Sequence, residues 1–266
     1  MHDRQPQRIV VPAMVSFIVP AYNEELTLPG CLRSIREAMA RIGGDFEIIV
    51  ADDASTDRTA EVAAAAGCRV VSCHHRQIAP TRNAGAGVAR GDPLVFVDAD
   101  TWVSEALLRD AFAALDQGCV AGSARPSLEG HVPWWARPGL AVFTFFYFAA
   151  NLGAGCFFYV RREAFERAGR FDERFFAGEE THLSRKLKKL GRFHVGPVSA
   201  VTSGRRVRLV GPFGFLRQCL RVVSRGPKGT RMREATLMWY DGKREDKPPA
   251  GEEADGGPAR SAKESD

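Results

Sequence analysis

A wholly apolar run, Leu94-Val95-Phe96-Val97, leads directly into Asp98-Ala99-Asp100-Thr101. Such a β-branched and aromatic run reads as a strand buried on both faces, the pattern of a central strand in a parallel sheet. Side chains two apart on an extended segment leave the same face, so Asp98 and Asp100 are expected to converge just past the strand's carboxyl end. Open α/β sheets place their ligands there. Two acids aimed at one point repel unless a cation lies between them, and a hard divalent ion completed by phosphate oxygens suits such a pair. The same two acids also fit a turn or the cap of a following helix. Two other strand ends carry comparable groups: Pro20-Ala21-Tyr22-Asn23-Glu24 and Asp52-Asp53. All three are expected to face one crevice.

The elements needed to hold these residues can be read from periodicity. Met14 to Pro20 predicts a first strand. A helix over about 29–42 follows, with Leu32, Ile35, Met39 and Ile42 at helical spacing and Gly43-Gly44 as the stop. A second strand spans Phe46 to Ala51, a helix runs from Arg58 to Ala66, and a third strand covers Arg69 to Cys73. A polar loop with His74 and His75 leads to Pro80-Thr81-Arg82-Asn83-Ala84-Gly85 and a small-residue helix ending near Gly91. The Leu94–Val97 strand and a helix from Ser104 to Leu115 complete this half. Strands alternating with helices imply βαβ units and a mainly parallel sheet. Further on, Cys119 to Ser123 predicts a strand, Arg162 to Gly169 a short helix, and Glu179 to Leu190 an amphipathic helix closed by Gly191. The expected organisation is an extension at 1–13, a ligand-binding half at 14–116, a second half at 117–240 with a basic C-terminal helix, and a disordered tail at 241–266 rich in charge, Pro and Gly.

Charge is distributed unevenly. The net charge is +5, yet residues 181–233 hold fourteen Lys or Arg and no Asp or Glu. That block suits an anionic partner such as phosphates or a membrane surface, and equally a solvated basic face. Nucleic acid is disfavoured, because Phe193, Phe213 and Phe215 are not interleaved with the basic residues in a stacking pattern and acids line the other half. The six cysteines show no metal-like spacing and suit a reducing compartment. Residues 1–12 carry charges and no apolar core, so no secretory signal is expected. Gly139 to Val160 contains no charged residue and is about as long as a membrane span of roughly 20 residues. Asn151, Gly153 and Gly155 interrupt it, which favours a buried helix followed by a strand at Cys156 to Val160. Trp134-Trp135 beside Arg137 reads as an interfacial anchor or as core aromatics.

Several short motifs occur in order: Val-Pro-Ala-Tyr-Asn-Glu (19–24), Val-Ala-Asp-Asp-Ala-Ser-Thr-Asp (50–57), Arg-Asn-Ala-Gly (82–85), Asp-Ala-Asp (98–100), Gly-Arg-Phe-Asp-Glu (169–173) and Gly-Glu-Glu-Thr-His-Leu (178–183). Together they resemble the family 2 glycosyltransferases of the GT-A fold, over roughly Val15 to Gly191. One Asp-x-Asp is weak evidence, but the ordered set is specific. The resemblance implies an α/β nucleotide-diphospho-sugar transferase fold with a C-terminal acceptor region, and a hexosyltransferase-type enzyme. Pro20, Ala21, Tyr22 and Glu24 would line the nucleoside. Asp53 would accept the base N–H with Asp52 beside it, and Arg82 and Asn83 would hold base or ribose. Asp98 would be shared between ribose and metal, Ala99 would lie against the donor, and Asp100 would ligate Mg²⁺ or Mn²⁺ on the diphosphate.

The family is similar in mechanism to single-displacement, inverting enzymes, whose carboxylate base deprotonates the acceptor hydroxyl. Its Glu-Asp pair aligns with Glu179-Glu180, which makes Glu180 the expected base and leaves Glu179 as the alternative. The same pair also fits favourable charge placement at a helix N-terminus. Arg217-Gln218-Cys219-Leu220-Arg221-Val222 resembles the Gln-x-x-Arg-Trp element of processive members, with Gln218 and Arg221 in place and Val222 where Trp would stack on an acceptor sugar. Arg221 would clamp the diphosphate, or the segment is a basic amphipathic helix on a membrane surface. The expected partners are a nucleotide-diphosphate sugar, with UDP-sugar as the family default, and a glycan or lipid-linked acceptor, at the cytoplasmic face of the cell membrane. The alternative class is a non-catalytic nucleotide-sugar-binding or scaffold protein.

Overall fold

The structure, a computed structural model, describes residues 10–129, 152–205 and 231. Within them an eight-stranded sheet runs in the order β3-β2-β1-β4-β7-β6-β8-β5. The strands are β1 (Met14–Ala21), β2 (Asp45–Asp53), β3 (Arg69–Cys73), β4 (Leu94–Val97), β5 (Thr101–Trp102), β6 (Cys119–Glu129), β7 (Phe157–Val160) and β8 (Arg192–Ser203). The helices are α1 (Leu28–Ile42), α2 (Thr59–Ala65), α3 (Ile78–Val88), α4 (Glu105–Asp116), α5 (Arg162–Arg167) and α6 (Glu179–Leu187).

β4 is buried along its whole length, and its alternation explains why. Val95 and Val97 enter a core shared with Leu32 and Ile35 of α1 and Leu108 of α4. Leu94 and Phe96 point the other way, into a core with Ala79 of α3, Phe165 of α5 and Leu183 of α6. Helices therefore cover both faces, and no position on the strand is left for a polar side chain. The Phe96 ring meets Phe171 edge-on at 4.9 Å and Phe165 at 5.4 Å, and each such buried ring contributes about 1.5–3 kcal/mol of transfer free energy. The helix ends follow their sequence signals. α1 stops at Gly43, whose φ is 86°, and Ser104 caps α4 by accepting from the Leu107 N–H at 3.2 Å.

The expected parallel sheet holds for β3-β2-β1-β4. β7 then pairs with β4 antiparallel, with Phe157 opposite Val97. Gly155 and Cys156, which lead into β7, lie at the carboxyl end of β4, so the chain enters β7 there and must run back. This strand forms the end of the 139–160 apolar stretch, as expected; residues 139–151 and Trp134-Trp135 lie outside the described residues. No described helix is long and apolar enough to cross a membrane.

The small-residue helix expected before Gly91 forms as α3, with Pro80–Gly85 as its body. Pro80 is tolerated because it falls in the first turn, where the missing N–H has no helical partner, and Gly85 lets the helix approach β1: a Cβ there would meet Ile18 Cγ2 at 2.5 Å. β8 was not anticipated. It carries Gly196 and Pro197 and an irregular burial pattern, so it lacks the period-two alternation that marks a half-buried strand.

Candidate active site

β1 and β4 are neighbours, but β2 lies on the far side of β1. The strand order reverses between β1 and β4, and a crevice opens beyond their carboxyl ends, as expected at such a switch point. It forms a cavity of about 420 Å³, within the range of small-molecule sites. Pro20, Ala21, Tyr22 and Glu24 reach it from the end of β1, Asp53 from β2, Asp98, Ala99 and Asp100 from the end of β4, Arg82 from α3, and Glu179 and Glu180 from α6. Asp52 and Asn83 are not on its wall. Gln218 and Arg221 lie outside the described residues.

Arg82 organises the centre. It is 2% exposed, and its guanidinium donates to Glu179 Oε1 at 2.6 Å, Asp98 Oδ1 at 2.8 Å and the Gly155 carbonyl at 2.9 Å. A side chain at Gly155 would meet Arg82 Nη2 at 2.9 Å, so glycine there makes room for the guanidinium. Burial works against the charge, but Asp98 and Glu179 more than compensate and hold Arg82 protonated beyond the ordinary arginine range. These contacts tie the end of β4 to the start of α6 on the wall of the cavity.

Asn83 is held by residues of the second half. Its amide donates to the Phe171 carbonyl and to Glu173 Oε1, both at 2.9 Å, and its Oδ1 accepts from the Phe171 N–H at 3.2 Å. It staples the segment after α5 rather than facing the cavity. Asp53 accepts from the His75 and Gln77 N–H groups at 2.7 and 2.9 Å and from Thr81 Oγ1 at 2.9 Å. Much of its acceptor capacity thus orders the β3–α3 connection. Asp52 is buried with Oδ1 lacking a hydrogen-bond partner.

The carboxylates of Asp98 and Asp100 have different partners. Residues 98–100 form a turn closed by the Thr101 N–H on the Asp98 carbonyl at 3.0 Å, so this turn, rather than an extended strand, brings both acids to the cavity. Asp98 faces Arg82, whereas Asp100 Oδ2 lies 3.1 Å from Arg205 Nη2. No group of three potential metal ligands occurs among the described residues. The donor set still fits Mg²⁺ or Mn²⁺ of the kind that takes one or two carboxylates and completes its shell with water and substrate phosphate, because both acids are hard oxygen donors on one cavity wall.

Glu179 and Glu180 open α6 behind Gly178, which adopts a left-handed φ of 74°. The two are not equivalent. Glu179 is buried against Arg82; Glu180 is half-buried on the cavity wall. Burial, and then the neighbouring Glu179, push the Glu180 carboxyl well above the usual glutamate range, with Arg82 pulling the other way. A carboxylate of raised basicity beside a cavity suits proton abstraction. His182 stacks on Phe175 at 4.9 Å, as befits a helix-face residue.

Two cations here were not singled out from the sequence. Arg76, from the polar loop after β3, lies over the Tyr22 ring at 3.7 Å, a cation–π geometry on the cavity wall. Arg205 follows β8 and bridges Glu24 and Asp100. Its only sequence signal was membership of the basic block.

Comparison with known proteins gives these features a context. The sequence profile of Glycosyl transferase family 2 matches residues 16–169, more than half of the chain. An undecaprenyl-phosphate 4-deoxy-4-formamido-L-arabinose transferase of Pseudomonas paraeruginosa is 39% identical over 99 residues, which covers 33% of this chain and 28% of that protein's length. Among solved structures, a mannosyltransferase of Pyrobaculum calidifontis in complex with GDP-Man and Mn²⁺ superposes with a TM-score of 0.60 at 21% identity, covering 90% of this chain and 74% of that one. S. aureus TarS in complex with UDP gives 0.57 at 20% identity, covering 76% and 62%. The fold is that of the GT-A glycosyltransferases, and the chain belongs to glycosyl transferase family 2.

Proposed function

We propose that this glycosyltransferase is an inverting enzyme that moves a sugar from a nucleotide-diphosphate donor to the hydroxyl of a lipid-linked or cell-envelope acceptor, with Glu180 as the general base. The observation that carries the reading is the pairing of Glu180, raised in pKa on the cavity wall, with the Asp98–Asp100 turn on the same cavity. The nucleoside would lie along the β1 end against Tyr22, near Asp53. Asp100, with Asp98 adjacent, would hold Mg²⁺ or Mn²⁺; when bound, such an ion offsets the negative charge that builds on the departing diphosphate. Glu180 would take the proton of the acceptor hydroxyl as it attacks from the opposite side. Glu179 is already committed to Arg82, which supports its neighbour as the base. Support for a lipid carrier comes from the relative named as acting on undecaprenyl phosphate and from the basic block at 181–233, which suits the anionic inner face of a membrane.

Slow donor hydrolysis needs no acceptor, so a screen of UDP-, GDP- and dTDP-sugars with Mn²⁺ tests the reading directly. At least one donor is expected to be hydrolysed by the native protein, with Glu180→Gln reducing turnover while nucleoside diphosphate still binds. Turnover unchanged in Glu180→Gln would remove Glu180 from the mechanism.

A further inference from the structure

We propose that Arg205 is a built-in counter-cation of the donor site, which neutralises Asp100 and Glu24 in the empty enzyme and thereby competes with a divalent ion for Asp100. The inference rests on the reading of Asp100 as the metal-binding acid.

The position is built rather than incidental. β5 and β8 pair antiparallel with Thr101 opposite Thr202, and the Ser203 N–H donates to the Asp100 carbonyl at 3.0 Å. The Gly204 N–H donates to the Glu129 carbonyl at 3.2 Å, and the Arg205 N–H to Ser203 Oγ at 3.3 Å. The chain therefore leaves β8 in a fixed direction beside Asp100. Arg205 is 5% exposed, and its Nη2 donates to Glu24 Oε1 as well as lying 3.1 Å from Asp100 Oδ2. Glu24 is itself held, since Thr27 Oγ1 donates to its other oxygen at 2.7 Å and its N–H donates to Thr59 Oγ1 at 2.8 Å. A buried carboxylate pair needs a compensating positive charge, and the guanidinium supplies it. A divalent ion arriving at Asp100 meets a site already partly neutralised and repels Arg205. The pair of acids is thus kept compact without donor, and tight metal binding is deferred until phosphate oxygens add their own charge.

The test is Mn²⁺ binding to the nucleotide-free protein, followed by the electron paramagnetic resonance of free Mn²⁺. Arg205→Gln, which keeps a hydrogen-bond donor but removes the charge, is expected to bind Mn²⁺ about tenfold or more tightly than the native chain. Arg205→Lys should stay close to native, and adding Asp100→Asn to Arg205→Gln should abolish the gain. Equal or weaker Mn²⁺ binding by Arg205→Gln would overturn the proposal, as would a gain that survives Asp100→Asn. A second measurement needs no variant. The Arg205 Nε–H resonance of the native protein should shift during a Mg²⁺ titration with the midpoint of ion binding, and an unmoved resonance contradicts the competition. Both readouts omit nucleotide, so failure of the transferase reading in a donor assay is distinguishable from failure here.

Discussion

Arg82 contacts Asp98 and Glu179 at once, two acids far apart in sequence and both on the cavity wall. The Arg82 and Glu179 side chains are each 3% exposed, so removing the guanidinium strands a buried carboxylate. Arg82→Met is expected to destabilise the fold by about 3–5 kcal/mol, read from denaturant midpoints, and to reduce turnover because α6 loses its tie to β4. Glu180 makes a different prediction. Its raised pKa means that the folded state binds its proton more tightly than the unfolded chain, where glutamate titrates near about 4.3. The stability from this group is fully present below the unfolded value and is lost as pH rises through the folded one. Glu180→Gln should therefore match the native protein in stability at acid pH and exceed it at neutral pH, while catalysis falls by about 10²–10⁴-fold. The acid limb of kcat/KM should lie above the ordinary glutamate range and vanish in the variant.

At the scale of elements, α3 carries Arg82 and Asn83 and must lie close against β1. Gly85 permits this, since a methyl group there would press on Ile18 Cγ2 at 2.5 Å. Alanine would gain about 1 kcal/mol of helix propensity but incur about 1–3 kcal/mol of overpacking. Gly85→Ala is expected to be net destabilising, measured by thermal unfolding. Local signals mark some elements and not others. β4 was legible because burial on both faces leaves a purely apolar run, and α1 because its apolar spacing and Gly43 are local signals. α3 was legible as a small-residue helix although Pro and Gly ordinarily break helices, since here Pro80 is tolerated by its place in the first turn and Gly85 is required by packing. β8 was hidden by Gly196, Pro197 and mixed exposure. The acids of the site were legible at strand ends, but their partners were not: Arg205 and Glu24 are separated by 181 positions, and no local pattern encodes that contact.

At the scale of the molecule, the sheet order decides where chemistry can occur. Reversal between β1 and β4 opens the crevice, the antiparallel return of β7 brings Gly155 beneath Arg82, and β8 delivers Arg205 beside Asp100. The first half supplies most of the expected donor-binding residues, while Glu179 and Glu180 come from the second. The most direct test of a nucleotide-sugar site here is calorimetric titration of uridine, guanosine and thymidine diphosphates into the protein with Mn²⁺ present. At least one should bind with one-to-one stoichiometry, and Asp100→Ala should weaken it by about tenfold or more, a loss of about 1.4 kcal/mol or greater. Flat titrations for all three nucleotides, or an Asp100→Ala affinity equal to the native one, would contradict the account.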